Sequence, residues 1–304
     1  MIDDIRSNGF VVVKNFLDAT DVSSDFITHL KLADKFIDGA ISDIPDEHMS
    51  SIKEKISRLV PNIANALNIS ISPNNFGYCA IRVNQTSEPP LLRKPFNVHQ
   101  DPKVAPGGVL NWHLDHFSYY LYRDHVNWLI CYMPIFKPKS ESANLAIIPT
   151  SIVKKLDRNL YQKIQGRGAM RFRCAEPDTL EWFIKRFPNL SPQVGDWFAI
   201  DDDDDSTMGF KVGFDLEAHK VVPQLDAYDL LIMRADVIHR TNDASTDRIS
   251  VRCDSMPLKA PDLGSLSGLL GLTLRFPFMG GKRQYNLRKW LKSEWNKRLN
   301  HLLK

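Results

Sequence analysis

Short apolar runs separated by turn-forming residues dominate the chain from Phe76 onward. Proline, glycine, asparagine and aspartate lie between the runs, which is the pattern of β-strands joined by turns. Many short strands in succession are typical of a sandwich or a barrel. We therefore expect a mainly β fold with flanking helices. The runs cover residues 78–83, 109–112, 126–133, 145–148, 197–200, 230–233 and 249–251.

The N-terminal part of the chain is patterned differently. Residues 10–13 form a β-branched run that predicts one strand. Apolar residues then recur at helical spacing over residues 18–36 and about 49–67, so each segment predicts a helix. Thr20 and Asp21 are candidate N-terminal caps for the first of these helices.

These patterns predict a single domain over residues 1–260. Its N-terminal part is helical over about 18–70, and its β core spans about 76–255. We expect a partly helical insertion to interrupt the core over about 151–220. Residues 261–304 are expected to form a basic amphipathic tail.

The composition argues against several classes of protein. Of 304 residues, 43% are hydrophobic and 25% are charged, which is close to the globular average and argues against disorder. A net charge of +3 argues against a dedicated nucleic-acid binder. The four cysteines include no C-x-x-C pair, so a zinc finger is not indicated. The acidic N-terminal sequence does not resemble a secretory signal, and we expect a cytoplasmic protein.

The segment around His113 carries the first chemical signal. His113 and Asp115 are two residues apart, and on a strand such residues point to the same face. They can therefore present an imidazole and a carboxylate to one point. His239, which follows the apolar run 230–233, is the candidate third ligand. Two histidines and one carboxylate form the facial triad that binds non-haem Fe(II) and leaves coordination positions open.

A second signal follows His239. Arg248 and Ser250 lie on the next predicted strand and share a face. A guanidinium beside a hydroxyl suits a bidentate grip on a carboxylate. A metal triad together with such a pair predicts a site for a 2-oxo acid, chelated to iron at one end and held by Arg248 and Ser250 at the other.

Several stretches, taken in order, resemble one family. They are residues 8–17, 112–115 (W-H-L-D), 126–130, 144–151, 229–241 and 248–250. Together they resemble the Fe(II)/2-oxoglutarate-dependent oxygenases, and most closely the phytanoyl-CoA dioxygenase-like branch. One departure is Pro149-Thr150-Ser151-Ile152, where that branch usually carries P-G-S-H.

The resemblance implies a double-stranded β-helix, or jelly-roll, core. It implies that the three candidate ligands hold Fe(II) and that Arg248 and Ser250 hold 2-oxoglutarate, with Asn127 as a further residue lining the cosubstrate. The implied reaction uses O2 to oxidise an aliphatic C–H bond of a small organic molecule and releases succinate and CO2. Hydroxylation, cyclisation and desaturation all belong to this chemistry. Related halogenases have a small residue where this chain has Asp115, which argues against halogenation.

A second H-x-D pair, His99 and Asp101, is an alternative to His113 and Asp115. It lies among prolines in a loop-like context, and it lacks the strands that follow the first pair. We expect His99 and Asp101 to lie in a loop near the mouth of the barrel, where they could contact substrate.

Four polar residues are candidate substrate contacts, and the three arginines among them each have a structural alternative. Arg82 could face solvent, Arg234 could form a salt bridge with Asp236 or Asp229, and Arg252 could belong to a structural ion pair. If these arginines do line the mouth, they favour a carboxylate-bearing metabolite as substrate. The four candidates are Arg82, Asn84, Arg234 and Arg252.

The tail over residues 282–304 carries eight basic residues and one acidic residue, Glu294, with leucines and tryptophan close to one helical face. A basic amphipathic helix of this kind can lie on an anionic membrane surface. Packing against the barrel or against a second subunit is the more ordinary use of such a helix, and it is the one that we favour.

The sequence therefore predicts an Fe(II)/2-oxoglutarate-dependent oxygenase that acts on a small metabolite. Two alternatives stay open at this stage. One is a membrane-peripheral oxygenase of a lipid or acyl-carrier substrate, which would use the basic tail. The other is a jelly-roll binding protein without catalytic turnover.

Overall fold

The structure is a computed structural model that describes residues 1–32, 40–41, 44–83, 112–115, 127–142, 144–165, 168, 170–201, 209–242 and 246–258. Asn84, His99, Asp101 and the tail over 261–304 lie outside these residues. Within the described chain, the helices are α1 (Ile2–Asn8), α2 (Ser24–Leu32), α3 (Asp46–Ala66), α4 (Thr150–Leu156), α5 (Arg158–Ile164) and α6 (Leu180–Arg186). The strands are β1 (Phe10–Val13), β2 (Ala40–Ile41), β3 (Ile71–Val83), β4 (His113–Leu114), β5 (Leu129–Phe136), β6 (Leu145–Ile147), β7 (Met170–Cys174), β8 (Trp197–Asp201), β9 (Gly209–Val212), β10 (Leu230–Arg234), β11 (His239–Thr241) and β12 (Arg248–Pro257).

The strands form two antiparallel sheets. The first sheet has the order β1-β10-β5-β12-β3-β2, and the second has the order β6-β11-β4-β7-β8-β9. Along the chain, β3, β5, β10 and β12 lie in the first sheet, whereas β4, β6 and β11, which alternate with them, lie in the second. This winding between two facing sheets is a double-stranded β-helix, so the predicted jelly-roll core with flanking helices is confirmed.

The first sheet is covered on both faces. Along β10, Leu230 and Ile232 pack in the core that contains the N-terminal helices, whereas Leu231 and Met233 pack in the core between the sheets. This alternation is the period-two pattern of a strand. Because both faces of β10 are buried, its sequence is continuously apolar.

The two predicted N-terminal helices differ in how well the sequence located them. The second is confirmed as α3, and Ile52, Ile56 and Val60 are fully buried along one side of it. The start predicted for the first helix is wrong, because α2 begins at Ser24. The Ser23 hydroxyl accepts a hydrogen bond from the Phe26 N–H at 3.1 Å, as an N-terminal cap does.

Asp21, a predicted cap of this helix, has another role in the structure. Its side chain accepts hydrogen bonds from the Asp18 N–H, the Ser51 hydroxyl and the Lys55 ammonium group. It therefore ties the turn before α2 to α3. Since its carboxylate is committed to these three donors, it does not cap α2.

The segment predicted as an insertion contains helices α4, α5 and α6 and strands β7, β8 and β9. The three strands extend the second sheet beyond β4. A bridge between Val221 and Ile147 then returns the chain to the other edge of that sheet. Among the described helices, none is both long enough and apolar enough to cross a membrane.

Candidate functional site

Strand pairing in the second sheet brings the two predicted histidine ligands together. His113 on β4 lies directly opposite His239 on β11. Directly opposite residues of an antiparallel pair project their side chains from the same face, with Cβ atoms about 4.5–5.5 Å apart. The two imidazole rings accordingly have centres 4.4 Å apart and planes inclined by 50°.

This face of the second sheet looks toward the first sheet. On its other side, His239 lies opposite Ile147 of β6. Ile147 packs in the core between the sheets, together with Tyr132 and Met233 of the first sheet. The two histidines therefore point into the interior of the β-helix.

Asp115 completes the predicted triad. Its Oδ1 atom lies 3.5 Å from His113 Nε2 and 3.9 Å from His239 Nε2. One potential ligand atom from each of the three residues lies within 4.8 Å of the other two. The three predicted ligands thus form a cluster of the size and chemistry that could hold one metal ion.

The orientation of His239 is set by the backbone. Its Nδ1 lies 2.9 Å from the Val237 carbonyl oxygen. A carbonyl can only accept, so Nδ1 carries the proton, and the Nε2 lone pair is directed at Asp115 and His113. Burial, with the neighbouring His113, lowers the pKa of His239 to about 4. At neutral pH the imidazole is therefore uncharged, as metal binding requires.

Arg252 holds the other side of the Asp115 carboxylate. Its Nη2 donates to Asp115 Oδ2 at 2.9 Å. The same guanidinium binds Asp254, through Nε at 2.8 Å and Nη2 at 3.0 Å. Burial alone would raise the pKa of Asp115, but Arg252 and the two histidines outweigh it and hold that pKa well below its usual range. Asp115 is therefore ionised and leaves Oδ1 for a metal.

The predicted carboxylate pair lies on β12, the strand that also carries Arg252. Arg248 is 2% exposed, and Ser250 is fully buried. The Ser250 hydroxyl donates to the Tyr132 hydroxyl at 2.5 Å, and Arg248 Cζ lies 5.3 Å from the centre of the Tyr132 ring. A guanidinium and two hydroxyls thus meet in one buried group, which we call the Arg248 group (Arg248, Ser250 and Tyr132).

The Arg248 group and the triad lie on the same side of the first sheet. Arg248, Ser250 and Arg252 are spaced by two residues along β12, so they share a face. Tyr132 lies directly opposite Arg252 on β5 and shares it as well. Ser250 and Arg252 are about 7 Å apart along the strand. Arg252, which contacts the Asp115 carboxylate, is therefore the cross-strand neighbour of Tyr132 in the Arg248 group.

Tyr132 is the member of this group that the sequence analysis missed. The other residues of its strand, β5, are apolar, and the strand is almost completely buried. The sequence pattern therefore predicts only a core residue at this position. Tyr132 is the residue of β5 that carries a hydroxyl group, and this was the feature that could have indicated a role in the site. Burial raises the pKa of Tyr132, so the phenol stays protonated and can donate a hydrogen bond.

The structure does not bring Arg82 to the triad. Arg82 lies opposite Ile249, whose side chain belongs to the core that faces the N-terminal helices. Its guanidinium donates to the Lys31 carbonyl at 2.6 Å and to the Asp247 carboxylate at 3.4 Å. Arg82 thus lies on the face of the sheet that looks away from the site.

Arg234 and Asn127 are also engaged elsewhere. Arg234 binds the Asp236 carboxylate through Nε at 3.0 Å and Nη2 at 2.6 Å, which is the structural alternative considered for this residue. The side-chain carbonyl of Asn127 accepts a hydrogen bond from the Ser70 N–H at 2.8 Å. Of the four candidate substrate residues, Arg252 alone is placed at the triad within the described chain.

Comparison of the sequence with protein-family models and with curated proteins gives no match. Among solved structures, the chain is similar to HygX from Streptomyces hygroscopicus with nickel and 2-oxoglutarate bound (12% identity, 84% of this chain and 85% of that one, TM-score 0.43). It is also similar to EctD from S. alaskensis with 2-oxoglutarate and 5-hydroxyectoine (9%, 84% and 74%, 0.46). A third is the non-heme alpha-ketoglutarate-dependent carbocyclase SnoK from nogalamycin biosynthesis (10%, 84% and 83%, 0.47).

Proposed function

We propose that this chain is an Fe(II)/2-oxoglutarate-dependent oxygenase that oxidises an aliphatic C–H bond of a small organic metabolite. The observation that carries the proposal is the placement of the His-Asp-His cluster and the buried Arg248 group on the two sides of Arg252, inside one β-helix. Each half of the arrangement suits one end of a 2-oxo dicarboxylic acid.

The donor set of the triad fits Fe(II). His113 and His239 supply imidazole nitrogens, and Asp115 supplies one ionised oxygen. Two histidines and one carboxylate are the donors of non-haem iron sites, and three protein ligands leave coordination positions for a chelating cosubstrate and for O2. When bound, Fe(II) supplies the chemistry that activates O2.

The Arg248 group fits the distal carboxylate of 2-oxoglutarate. A planar guanidinium binds a carboxylate through two hydrogen bonds, and the hydroxyls of Ser250 and Tyr132 lie beside it. Burial excludes water from this contact and strengthens it. The 2-oxo acid end of the cosubstrate would then be left for the metal ion that His113, Asp115 and His239 would hold.

Two hydrogen bonds within the protein orient the candidate metal ligands. Arg252 fixes which oxygen of Asp115 faces the histidines, and the Val237 carbonyl fixes the tautomer of His239. All three ligands are at most partly exposed, which limits the access of bulk water to the reacting centre. Arg252, the described candidate substrate residue at the triad end, is ion-paired there with Asp115 and Asp254, so we assign it an orienting role.

The test is anaerobic addition of Fe(II) and then 2-oxoglutarate to the purified protein, followed by visible absorption. We expect a weak charge-transfer band of the chelate and, after O2 is admitted, formation of succinate. His113→Ala should abolish the band, whereas the matched variant His99→Ala should keep it.

Two other results would count against parts of this proposal. Loss of the band in His99→Ala alone would assign the iron to the other H-x-D pair. A folded wild-type protein that gives no band would overturn the oxygenase proposal in favour of a binding protein.

A further inference from the structure

On the outer face of the second sheet, Trp112 and Arg240 lie directly behind the two histidines. Trp112 precedes His113, and Arg240 follows His239, so the antiparallel register places them opposite each other. Arg240 Cζ lies 5.0 Å from the centre of the Trp112 ring. Because neighbours along a strand point to opposite faces, this pair faces away from the triad.

One carboxylate joins the two members of this outer pair. Glu217 Oε1 accepts a hydrogen bond from Trp112 Nε1 at 2.7 Å. Glu217 Oε2 accepts one from Arg240 Nη2 at 2.9 Å and another from Lys220 Nζ at 2.9 Å. Glu217 therefore bridges β4 and β11 one residue away from each histidine ligand.

The bridge matters because the backbone pairing of these strands is short. Strand β4 has two residues, and within the described chain its register with β11 consists of His113 and His239 alone. Among the described residues, the backbone therefore holds these two strands in register through one residue pair. A side chain that is hydrogen-bonded to residues of both strands on the outer face can restrain their register, as additional backbone hydrogen bonds would.

Glu217 is itself held in place. It begins a 3-10 turn over Glu217–His219, and its N–H donates to Asp215 Oδ1 at 2.9 Å. Burial raises the pKa of Glu217, but Arg240, Lys220 and Trp112 outweigh this and lower it to about 2. The carboxylate is therefore ionised at neutral pH, and both of its oxygens accept hydrogen bonds.

We propose that Glu217 is a positioning residue of the metal centre, which fixes the separation of His113 and His239 by clamping Trp112 to Arg240 on the opposite face. This inference rests on the metal site of the proposed function. It assigns a role in that site to the segment predicted as an insertion, which contributes no ligand among its described residues.

The test compares Glu217→Gln with Asp21→Asn. Glutamine keeps one acceptor for Trp112 but places an amide N–H₂ against the donors of Arg240 and Lys220. Asp21 is likewise an ion-paired acid, although it is buried whereas Glu217 is 41% exposed, and it joins the turn before α2 to α3, on the far side of the first sheet. Asp21→Asn therefore reports what the loss of an ion-paired carboxylate does when it lies away from the triad.

Co(II) is the probe, titrated into metal-free protein and followed by its visible absorption. Glu217→Gln should bind Co(II) about 10-fold more weakly, at the lower end of the range for residues that support metal ligands, and with a changed spectrum. Asp21→Asn should have a lower melting temperature but the wild-type affinity and spectrum.

Two results would overturn the inference, and they can be told apart. If Glu217→Gln binds Co(II) with the affinity and spectrum of the wild type, the positioning role is wrong and the metal site stands. If the folded wild-type protein does not bind Co(II), the proposed function fails and the role of Glu217 fails with it.

Discussion

Arg252 donates a hydrogen bond to Oδ2 of Asp115 at 2.9 Å, while Oδ1 of the same carboxylate faces the two histidines. One carboxylate oxygen of Asp115 is therefore hydrogen-bonded to the guanidinium, and the other faces the two imidazole rings. In the proposed metal site we therefore expect Asp115 to bind through a single oxygen, and this relationship predicts the effect of changing Arg252.

We expect Arg252→Lys to weaken metal binding by about 10-fold, since lysine keeps the charge but loses the fork that holds Asp115 and Asp254 together. The measurement is a Co(II) titration of metal-free protein. Arg82→Lys is the matched control, because Arg82 forms an ion pair on the other face of the same sheet. Equal affinities for wild type and Arg252→Lys would show that Asp115 is oriented without Arg252.

Tyr132→Phe should weaken the binding of 2-oxoglutarate and leave metal binding unchanged. It removes a hydroxyl from the Arg248 group, and one hydrogen bond contributes about 0.5–1.5 kcal/mol, so we expect about a 2- to 10-fold loss of affinity. The check is a 2-oxoglutarate titration of the Fe(II) protein. Tyr78→Phe, in the helix-facing core, should behave as wild type. A loss confined to metal affinity would contradict this placement of the cosubstrate.

Metal binding should stabilise the folded chain, because the complete triad exists only in the folded state. At a metal concentration of 100 times the dissociation constant, the gain is about 2.7 kcal/mol. Thermal unfolding with and without Co(II) should therefore show a rise in melting temperature that a chelator reverses. The rise should be absent in His239→Ala and retained in His29→Ala, a change at an exposed histidine of α2. A rise retained in His239→Ala would place the metal elsewhere.

Asp21→Asn should destabilise the fold in a pH-dependent manner. Burial raises the pKa of Asp21, but hydrogen bonds from Lys55, Ser51 and the Asp18 N–H outweigh this and lower it. A carboxyl whose folded pKa is depressed stabilises the protein above its unfolded pKa, and this contribution disappears as the pH falls through the folded value. We expect a loss of about 1–3 kcal/mol at pH 7. Urea unfolding should show that this loss shrinks below about pH 4, near the unfolded pKa; a pH-independent loss would mean that the charge is not involved.

Period-two alternation explains why part of the site was predictable. It predicted that His113 and Asp115, and Arg248 and Ser250, share a face, because residues two apart on a strand do so whatever the tertiary structure. Asp115 lies one residue past the end of β4 and still faces the histidines. Strand alternation does not predict the pairing of His113 with His239. This pairing depends on the register between two strands far apart in sequence, and here the family resemblance supplied what local pattern could not.

For other side chains, the sequence pattern does not predict which face of the sheet they lie on or which residues they bind. Arg82 lies on a predicted strand and Arg234 just past one, but only packing reveals that Arg82 faces the helices and that Arg234 binds Asp236. Tyr132 is hidden in an apolar strand, and Glu217 lies in a turn of the predicted insertion. The assignment to the phytanoyl-CoA dioxygenase-like branch and the domain limits stay predictions.

The charged side chains that alternate along β12 also bear on the order in which a metal ion and a cosubstrate bind. Arg248, Arg252 and Asp254 share its inner face, and with Asp115 their formal charges sum to zero. Beside these four described residues, a dicarboxylate that enters alone would leave two negative charges uncompensated. A divalent cation at the triad supplies two positive charges, and the dicarboxylate then restores neutrality. We therefore expect ordered addition, with the metal ion required before the cosubstrate can bind tightly.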